Sequence, residues 1–177
     1  NAYFINELAH TFRILHQFDD EIETAKNGIA RVPDFENFRY HIFFGLLYKN
    51  GDMKTALGES GLKNEDVQYY IYYYTKQFET LIEFIKNDTL EITEDQFIYW
   101  PKSYRLAFIY FLNNNKTLCN IYADSAISLY KAKIQEEPSD ERYWASLGKC
   151  YAFIGNNKEA IECGIKAVNL KPFKLDA

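Results

Sequence analysis

Glycine and proline are scarce in this sequence, with 8 Gly and 4 Pro among 177 residues. Tight turns rely on these two residue types, because glycine reaches positive φ and proline fixes its own φ. The sequence therefore excludes a β-sandwich or a β-barrel, which needs many such turns. Aromatic residues are abundant instead, at 18% of the chain, and the hydrophobic content of 47% is typical of a folded protein with a sizeable core.

Long apolar runs and an excess of positive charge are also missing. No apolar run reaches about 18 residues, so no transmembrane helix is expected, and the first residues do not have the pattern of a secretory leader. The net charge is −5, and the lysines and arginines are scattered. This distribution gives no basic surface for nucleic acid. We expect a protein or peptide partner, without membrane insertion or direct nucleic-acid binding.

Cysteine is rare, with three residues at spacings that do not resemble a metal site. The odd count argues against a disulfide framework. Reduced thiols favour a cytoplasmic location, or a periplasmic one if a longer parent chain spans a membrane. The chain also begins at Asn1-Ala2 without a methionine. We interpret this start as the remnant of a tag, followed by a domain that was excised from a longer protein.

Helical periodicity dominates the chain. Leu8, Phe12 and Leu15 recur at spacings of four and three residues, as do apolar residues near the carboxy terminus. Short breakers separate these segments, so the helices are expected to be antiparallel neighbours. The predicted hairpins are 3–16 with 20–31, 35–49 with 52–60, 65–75 with 77–87, 101–113 with 117–136, and 139–154 with 157–169.

The breakers carry helix-end signals. Gly155 suits the left-handed conformation that ends a helix, and Asn156 with Glu159 has the spacing of a capping box. Ser139 is predicted to be the N-cap of the helix that ends just before Gly155. The helical pattern is weakest in residues 88–100. We predict an irregular linker there, with the option of one helical turn after Thr93. Pro101 then belongs in the first turn of the next helix.

The stretch from Trp144 to Pro172 holds the most specific pattern. It has the spacing Trp-x2-Leu-Gly-x2-Tyr, followed by two alanines and a proline. This pattern resembles the tetratricopeptide repeat (TPR), which has a period of 34 residues. The resemblance implies packing roles for Trp144, Leu147, Gly148, Tyr151, Ala160, Ala167 and Pro172. Gly164 stands where the family prefers a large aromatic residue, so we expect a looser contact there.

The resemblance extends to most of the chain. Residues 104–138 match it well, residues 139–172 match it best, and the units before residue 88 match more weakly. It implies an all-α fold in which about five antiparallel hairpins stack as an α-solenoid with a right-handed superhelix, in one domain over 1–177. The part from Asp124 to Ala177 is also similar to the carboxy-terminal arrays of bacterial multidomain signalling proteins. There the array follows a cyclase, a kinase or a winged-helix domain.

Catalytic and metal-binding patterns are weak. Gly58-Glu59-Ser60-Gly61-Leu62 resembles a nucleophile elbow, but it ends in leucine and lies near a helix end. His10 and His16 are six residues apart, which does not fit a helical zinc site. Cys150 and Cys163 read as small hydrophobic residues, with a redox pair as the alternative. We predict no enzyme activity, no metal and no cofactor.

Five tyrosines fall within the six residues Tyr69 to Tyr74. One helix face cannot bury them all, because consecutive residues point about 100° apart. One interpretation is that Tyr69 and Tyr72 simply pack inward with wet hydroxyls. The other is that Tyr70, Tyr73 and Tyr74 line a recognition surface, where tyrosine is a favoured residue.

In the TPR family the first helix of each hairpin lines a concave groove. By register, the resemblance implies a groove lined by Asn6, His10, Arg13, Arg39, Ile42, Leu46, Lys49, Tyr70, Tyr73, Tyr74, Tyr104, Phe108, Phe111, Arg142, Lys149 and Phe153. Such a groove suits an extended or helical partner with apolar anchors and acidic groups. Asn6 and His10 replace the Lys and Asn of the family's carboxylate clamp, so no clamp is predicted.

Two functions fit these features. The first is a non-catalytic scaffold that binds a partner protein or peptide, because stacked repeats build an extended surface. The alternative is a structural or dimerising domain of a bacterial signalling or transcription-regulating protein. In that case the face from Tyr70 to Phe108 would form a homodimer contact, since large apolar patches rarely stay bare.

Overall fold

The computed structural model describes residues 1–95 and 97–171. Within these residues the fold consists almost entirely of α-helices, which pack as antiparallel hairpins, as the sequence predicts. Most helix ends fall within a few residues of the predicted ones. The helices are α1 (Ala2–Ile14), α2 (Phe18–Arg31), α3 (Asn37–Asn50), α4 (Met53–Ser60), α5 (Gln68–Tyr74), α6 (Phe78–Asn87), α7 (Lys102–Leu112), α8 (Lys116–Glu136), α9 (Glu141–Phe153) and α10 (Asn157–Leu170).

The chain divides into two compact units, Asn1–Ile71 and Tyr72–Ala177. The first unit holds α1 to α4, a 3-10 turn at Asn64–Val67 and the first residues of α5. The second holds the end of α5 and the helices from α6 onward. The sequence predicts one domain over 1–177, and the two units are described separately.

Helix α3 is the centre of the first unit. All seven residues from His41 to Leu47 are buried, and α1, α2 and α4 pack around this helix. Two glycines let α2 and α3 approach closely. A Cβ on Gly28 would lie 2.6 Å from the ring of Phe38, and a Cβ on Gly45 would lie 2.8 Å from Ile22. Larger residues at these two positions would push the helices apart.

Tyr130 on α8 is the centre of the second unit. Its side chain is completely buried, and its hydroxyl donates a hydrogen bond of 2.8 Å to the carbonyl of Tyr99. The rings of Tyr99 and Tyr104 lie 6.3 and 6.1 Å from its own ring. The surrounding cluster also includes Tyr143 and Leu147 of α9. Burial raises the pKa of the Tyr130 phenol, so the hydroxyl stays a neutral donor.

A β-hairpin occupies much of the predicted linker, so the suggestion of a helical turn after Thr93 was wrong. Strand β1 (Ile92–Glu94) pairs antiparallel with β2 (Tyr99–Pro101). Asp95 shapes the connection, because its carboxylate accepts from the backbone N–H groups of Phe97 and Ile98. Pro101 was predicted in the first turn of the helix, but it is the last residue of β2 and directly precedes α7.

The segment before the hairpin is held by α7. The guanidinium of Arg105 is buried and donates to the carboxylate of Asp88 at 2.7 Å and to the carbonyl of Leu90. Lys102 donates from its ammonium group to the carbonyl of Asp88 at 2.6 Å. Burial alone would raise the pKa of Asp88, but the bond from Arg105 lowers it overall. Residues 88–91 are therefore tied to the helix that follows them.

The helix ends confirm one predicted signal and correct two. Gly155 has a φ of 83°, the left-handed conformation predicted for it. The cap of α9 is Asp140, not Ser139, because the Asp140 carboxylate accepts from the N–H of Arg142. Asn156 occupies the cap position of α10 without a side-chain capping bond, so the capping box with Glu159 does not form.

The residues predicted to pack the last hairpin differ in burial. Leu147, Gly148 and Ala167 are buried, whereas Trp144, Tyr151 and Ala160 are half-buried. The indole N–H of Trp144 donates to the carbonyl of Pro138 at 3.0 Å. A Cβ on Gly148 would lie 3.0 Å from the carbonyl oxygen of Ala160. Pro172 lies outside the described residues.

Two glycines of this hairpin form a matched pair for a stability test. Gly164→Ala is expected to raise the free energy of unfolding by about 0.8–1 kcal/mol, because alanine is the better helix former. No heavy atom lies within 4 Å of the Cβ it would add. Gly148→Ala gains the same propensity but crowds the Ala160 carbonyl, and it should lower stability by about 1 kcal/mol. Urea denaturation of both variants measures the difference, and equal stabilisation by both would contradict close packing at Gly148.

Candidate partner-binding surface

Five aromatic side chains of the second unit form a continuous chain of ring contacts, which we call the aromatic surface. The ring centroids of Tyr73 and Tyr74 are 5.1 Å apart, and Tyr73 lies 6.0 Å from Phe108. Phe153 connects the rest, at 5.8 Å from Phe108 and 5.2 Å from Phe111. The sequence analysis had placed all five residues in a recognition groove, and the structure brings them together.

Helix geometry explains why these rings meet. Phe108 and Phe111 are three residues apart on α7, so they lie on the same side of that helix. Phe153 is the last residue of α9, which packs against α7. Phe111 is 46% exposed and Tyr74 is 41% exposed, while the other three rings are half-buried. The aromatic surface is thus packed against the protein on its inner side and exposed to solvent at Phe111 and Tyr74.

A surface pocket of about 340 Å³ adjoins the aromatic surface. Phe111 and Phe153 form part of its wall. Polar residues complete the lining, among them Asn114, Lys116 and Asn120. A pocket with an apolar wall and a few polar groups can hold an apolar side chain and donate hydrogen bonds to the atoms around it.

Tyr104 is not part of this surface, although the sequence analysis predicted it there. Its side chain is only 5% exposed. It stacks on Trp100 at 5.7 Å and packs against Tyr130 at 6.1 Å. Tyr104 lies four residues before Phe108 on α7, so it continues the same face, but β2 and α8 cover it. It is a core residue, and its ring lies 5.9 Å from that of Phe153.

The groove residues predicted in the first unit are divided between core and surface. Tyr70 is 37% exposed, and its ring packs edge-on against Phe44 at 4.8 Å. Ile42 and Leu46 are buried, at 2% and 8% exposure. Their placement in the groove was therefore wrong. From Asn37 to Phe44 the apolar residues are not confined to one side of α3, because other helices pack on several sides of it.

The predicted basic residues of the groove contact other groups of the chain. Arg39 donates to the carbonyl of Ser60 at 3.2 Å, and Lys49 lies 2.5 Å from the carboxylate of Asp19. Arg142 pairs with Asp140 at 2.6 Å and also donates to the carbonyl of Asp95 in the hairpin. Arg39, Lys49 and Arg142 therefore connect separate segments of the chain. Lys149 is exposed, and it lies four residues before Phe153 on the same side of α9.

Arg13 belongs to a buried ionic cluster that the sequence analysis did not detect. Oε1 of Glu21 accepts from Nε of Arg13 at 2.6 Å and lies 2.8 Å from Nδ1 of His41. Nε2 of His41 lies 3.2 Å from Oδ1 of Asn6. Glu21 is completely buried, and its Oε2 has no hydrogen-bond partner among the described residues. The guanidinium of Arg13 also covers the ring of Phe44 at 5.0 Å.

One signal could have found this cluster. Glu21 reads as one of three consecutive acids at the start of α2, next to Asp19 and Asp20, which are exposed. However, Glu21 precedes Ala25 by four residues and Gly28 by seven, and both are buried. That spacing places Glu21 on the packed face of the helix. His10, also predicted for the groove, lies beside the cluster with its ring 6.4 Å from that of His41.

The cysteines and the serine considered for chemistry are buried. Cys119, Cys150 and Cys163 are free and buried, and burial raises the pKa of Cys150 to about 12. The hydroxyl of Ser60, from the sequence that resembles a nucleophile elbow, donates to the carbonyl of Leu57 at 3.2 Å. The described residues hold no group of three or more His, Cys, Asp and Glu side chains suited to a metal ion.

No family model and no curated protein sequence matches this chain. Several solved structures resemble this chain, and three of them are 15–17% identical to it. The structure of YrrB, a TPR protein with an unusual peptide-binding site, is 15% identical, with 98% of this chain and 88% of that chain covered and a TM-score of 0.36. MamA is 17% identical, with 99% and 94% covered and a TM-score of 0.36. The TPR2AB domain of yeast Sti1, in complex with pHSP90, is 16% identical, with 97% and 78% covered and a TM-score of 0.37.

In the part of the chain that the structure describes, no helix combines the length and the apolar character of a bilayer-spanning segment.

Proposed function

We propose that this chain is a non-catalytic module that binds a segment of a partner protein on its aromatic surface. The observation that carries the proposal is the row of Tyr74, Tyr73, Phe108, Phe153 and Phe111, which is exposed at both Tyr74 and Phe111. Partly exposed aromatic rings on a rigid support are the typical anchors of protein interfaces. Helices α7 and α9 provide that support.

The geometry favours an elongated ligand. Consecutive ring contacts extend from α5 through α7 to α9, and the pocket of about 340 Å³ continues from Phe111 towards Asn114 and Asn120. A helix or an extended peptide can place several apolar side chains along such a row. Lys149 lies one helical turn before Phe153, and Lys116 lines the pocket beside Phe111. Both would favour acidic groups beside those apolar anchors.

Peptide display against the full chain provides the ligand needed for a test. We expect selected peptides to carry two or more apolar anchors and acidic residues. Isothermal titration with one such peptide should show that Phe111→Ser raises its Kd at least about tenfold, since aromatic anchors contribute about 1.4 kcal/mol or more. Phe97→Ser is the matched control, because Phe97 is 58% exposed but lies in the loop of the β-hairpin.

The outcome that would contradict the proposal is equally specific. If Phe111→Ser and Phe97→Ser change the Kd by the same factor, the aromatic surface does not hold the peptide. Circular dichroism of both variants confirms that each remains folded, which is expected because both side chains are largely exposed. A peptide that loses affinity only with Phe97→Ser would place the binding site at the hairpin instead.

A further inference from the structure

The polar side of the pocket beside the aromatic surface is rich in hydrogen-bond donors. Asn114 follows the end of α7, and Lys116 and Asn120 lie in the first five residues of α8. All three residues are exposed, and each of these side-chain types can donate a hydrogen bond. The described residues that line the pocket include no aspartate or glutamate. The pocket therefore suits a ligand that presents hydrogen-bond acceptors and few donors.

The backbone conformation of a bound peptide decides how many acceptors it offers. An α-helix uses its carbonyl groups internally, apart from the last four. A polyproline II segment has no internal hydrogen bonds, so all of its carbonyls stay available. Proline also lacks the backbone N–H, which leaves the segment with acceptors and few donors. A proline-rich segment thus matches the donors of the pocket better than a helix does.

The stacking of the aromatic surface favours the same ligand. Phe153 stacks on Phe108 and on Phe111, with the ring planes inclined at 29° in both pairs. Tyr73 continues the row, since its ring is inclined at 31° to that of Phe108. Because neighbouring rings already contact one another, a ligand must lie across the row instead of inserting a side chain between them. Proline-rich segments dock on aromatic-lined surfaces, and their preformed conformation keeps the entropic cost of binding low.

We propose that the partner segment is proline-rich and binds as a polyproline II helix. Its proline rings pack on Phe108, Phe111 and Phe153, and its backbone carbonyls accept hydrogen bonds from the side chains of Asn114 and Asn120. The inference rests on the proposed function, because it takes the aromatic surface as the binding site. It goes further by naming the class of ligand and by giving the pocket a separate role, the recognition of backbone carbonyls.

Two synthetic peptides, each blocked by acetyl and amide groups, test the class of ligand. One contains about ten prolines and extends about 30 Å in the polyproline II conformation. The other contains about fifteen residues of leucine, alanine, glutamate and lysine in an amphipathic helical pattern. Nuclear magnetic resonance titration of the isotope-labelled full chain should give a Kd at least about tenfold lower for the proline peptide. The blocked ends ensure that no terminal carboxylate contributes.

Substitutions at the pocket test the proposed carbonyl contacts. Asn120→Asp replaces the amide with a carboxylate, which accepts hydrogen bonds but cannot donate them at neutral pH. It should raise the Kd of the proline peptide at least about fivefold, the effect of one lost hydrogen bond. Asn169→Asp is the matched control, because it makes the same change of charge at an exposed position of α10 that does not line the pocket. It should change the Kd less than about twofold.

Two results would overturn the proposed class of ligand. One is a helical peptide that binds as tightly as the proline peptide, and the other is an equal effect of Asn120→Asp and Asn169→Asp. Peptides selected by display that bind only through a free terminal carboxylate would also overturn it, since the pocket would then recognise that group.

Phe111→Ser separates this inference from the proposed function. It should raise the Kd of the proline peptide at least about tenfold, and this result supports both proposals. If only peptides without proline lose affinity with Phe111→Ser, the proposed function stands and the class of ligand is wrong. If no peptide depends on Phe111, the aromatic surface is not a binding site and both proposals fail.

Discussion

Replacing Arg13 with methionine is expected to lower the free energy of unfolding by about 3–5 kcal/mol, because the change removes the cation from a buried carboxylate. Glu21 is completely buried, and its Oε1 accepts from Arg13 at 2.6 Å. Without Arg13, only His41 remains beside that oxygen, at 2.8 Å. Its other oxygen already lacks a partner among the described residues. Urea denaturation followed by far-ultraviolet circular dichroism measures the loss.

A second substitution separates charge from packing. In the double variant Arg13→Met with Glu21→Met the uncompensated charge is gone, so its stability should lie above that of Arg13→Met alone. Lys49→Met is the control for a generic ion pair in the same unit. Lys49 pairs with Asp19, whose side chain is 78% exposed, and this change should cost only about 0–1 kcal/mol. Equal losses from Arg13→Met and Lys49→Met would contradict a role for burial.

The helical hairpins could be predicted from the sequence because local signals specify them. Apolar spacings of three and four residues and short polar breakers mark helices and their ends with little dependence on distant residues. Gly155 is an example, since its left-handed φ of 83° follows from its place after an apolar helix. Gly148 is another, because the repeat pattern requires a small residue where Ala160 approaches.

Burial was harder to predict, because it depends on which elements cover a helix. Phe108 and Tyr104 lie on the same face of α7, yet Phe108 is half-buried and Tyr104 is 5% exposed. The difference comes from β2, whose Trp100 stacks on Tyr104 at 5.7 Å. The spacing of apolar residues within α7 does not reveal that contact.

The β-hairpin shows a related limit. Each of its strands has three residues. Strands this short do not give a detectable alternation of apolar and polar residues within 88–100. The contacts that hold it come from distant positions in the sequence, such as the bond from Arg142 to the carbonyl of Asp95. The local signal that was present is Asp95, a residue that often starts a turn, between β-branched Ile92 and Thr93 and the aromatic pair Tyr99 and Trp100.

Tyr130→Ala is expected to lower the free energy of unfolding by about 3–5 kcal/mol, as large-to-small changes of buried aromatic residues do. The ring is completely buried among Tyr99, Tyr104 and the residues of α9. Removing it leaves a cavity between α8 and the hairpin, and it also leaves the carbonyl of Tyr99 without its donor. Urea denaturation gives the total loss.

Tyr130→Phe separates the hydrogen bond from the ring. It keeps the packing and removes only the hydroxyl, so the expected loss is about 1–1.5 kcal/mol. Amide hydrogen exchange should show faster exchange in β1 and β2, because the bond of 2.8 Å to Tyr99 joins the hairpin to α8. Ile121→Ala on the exposed side of α8 should leave both readouts nearly unchanged. If Tyr130→Phe leaves exchange in the hairpin at the wild-type rate, the backbone pairing of β1 with β2 holds the hairpin without help from α8.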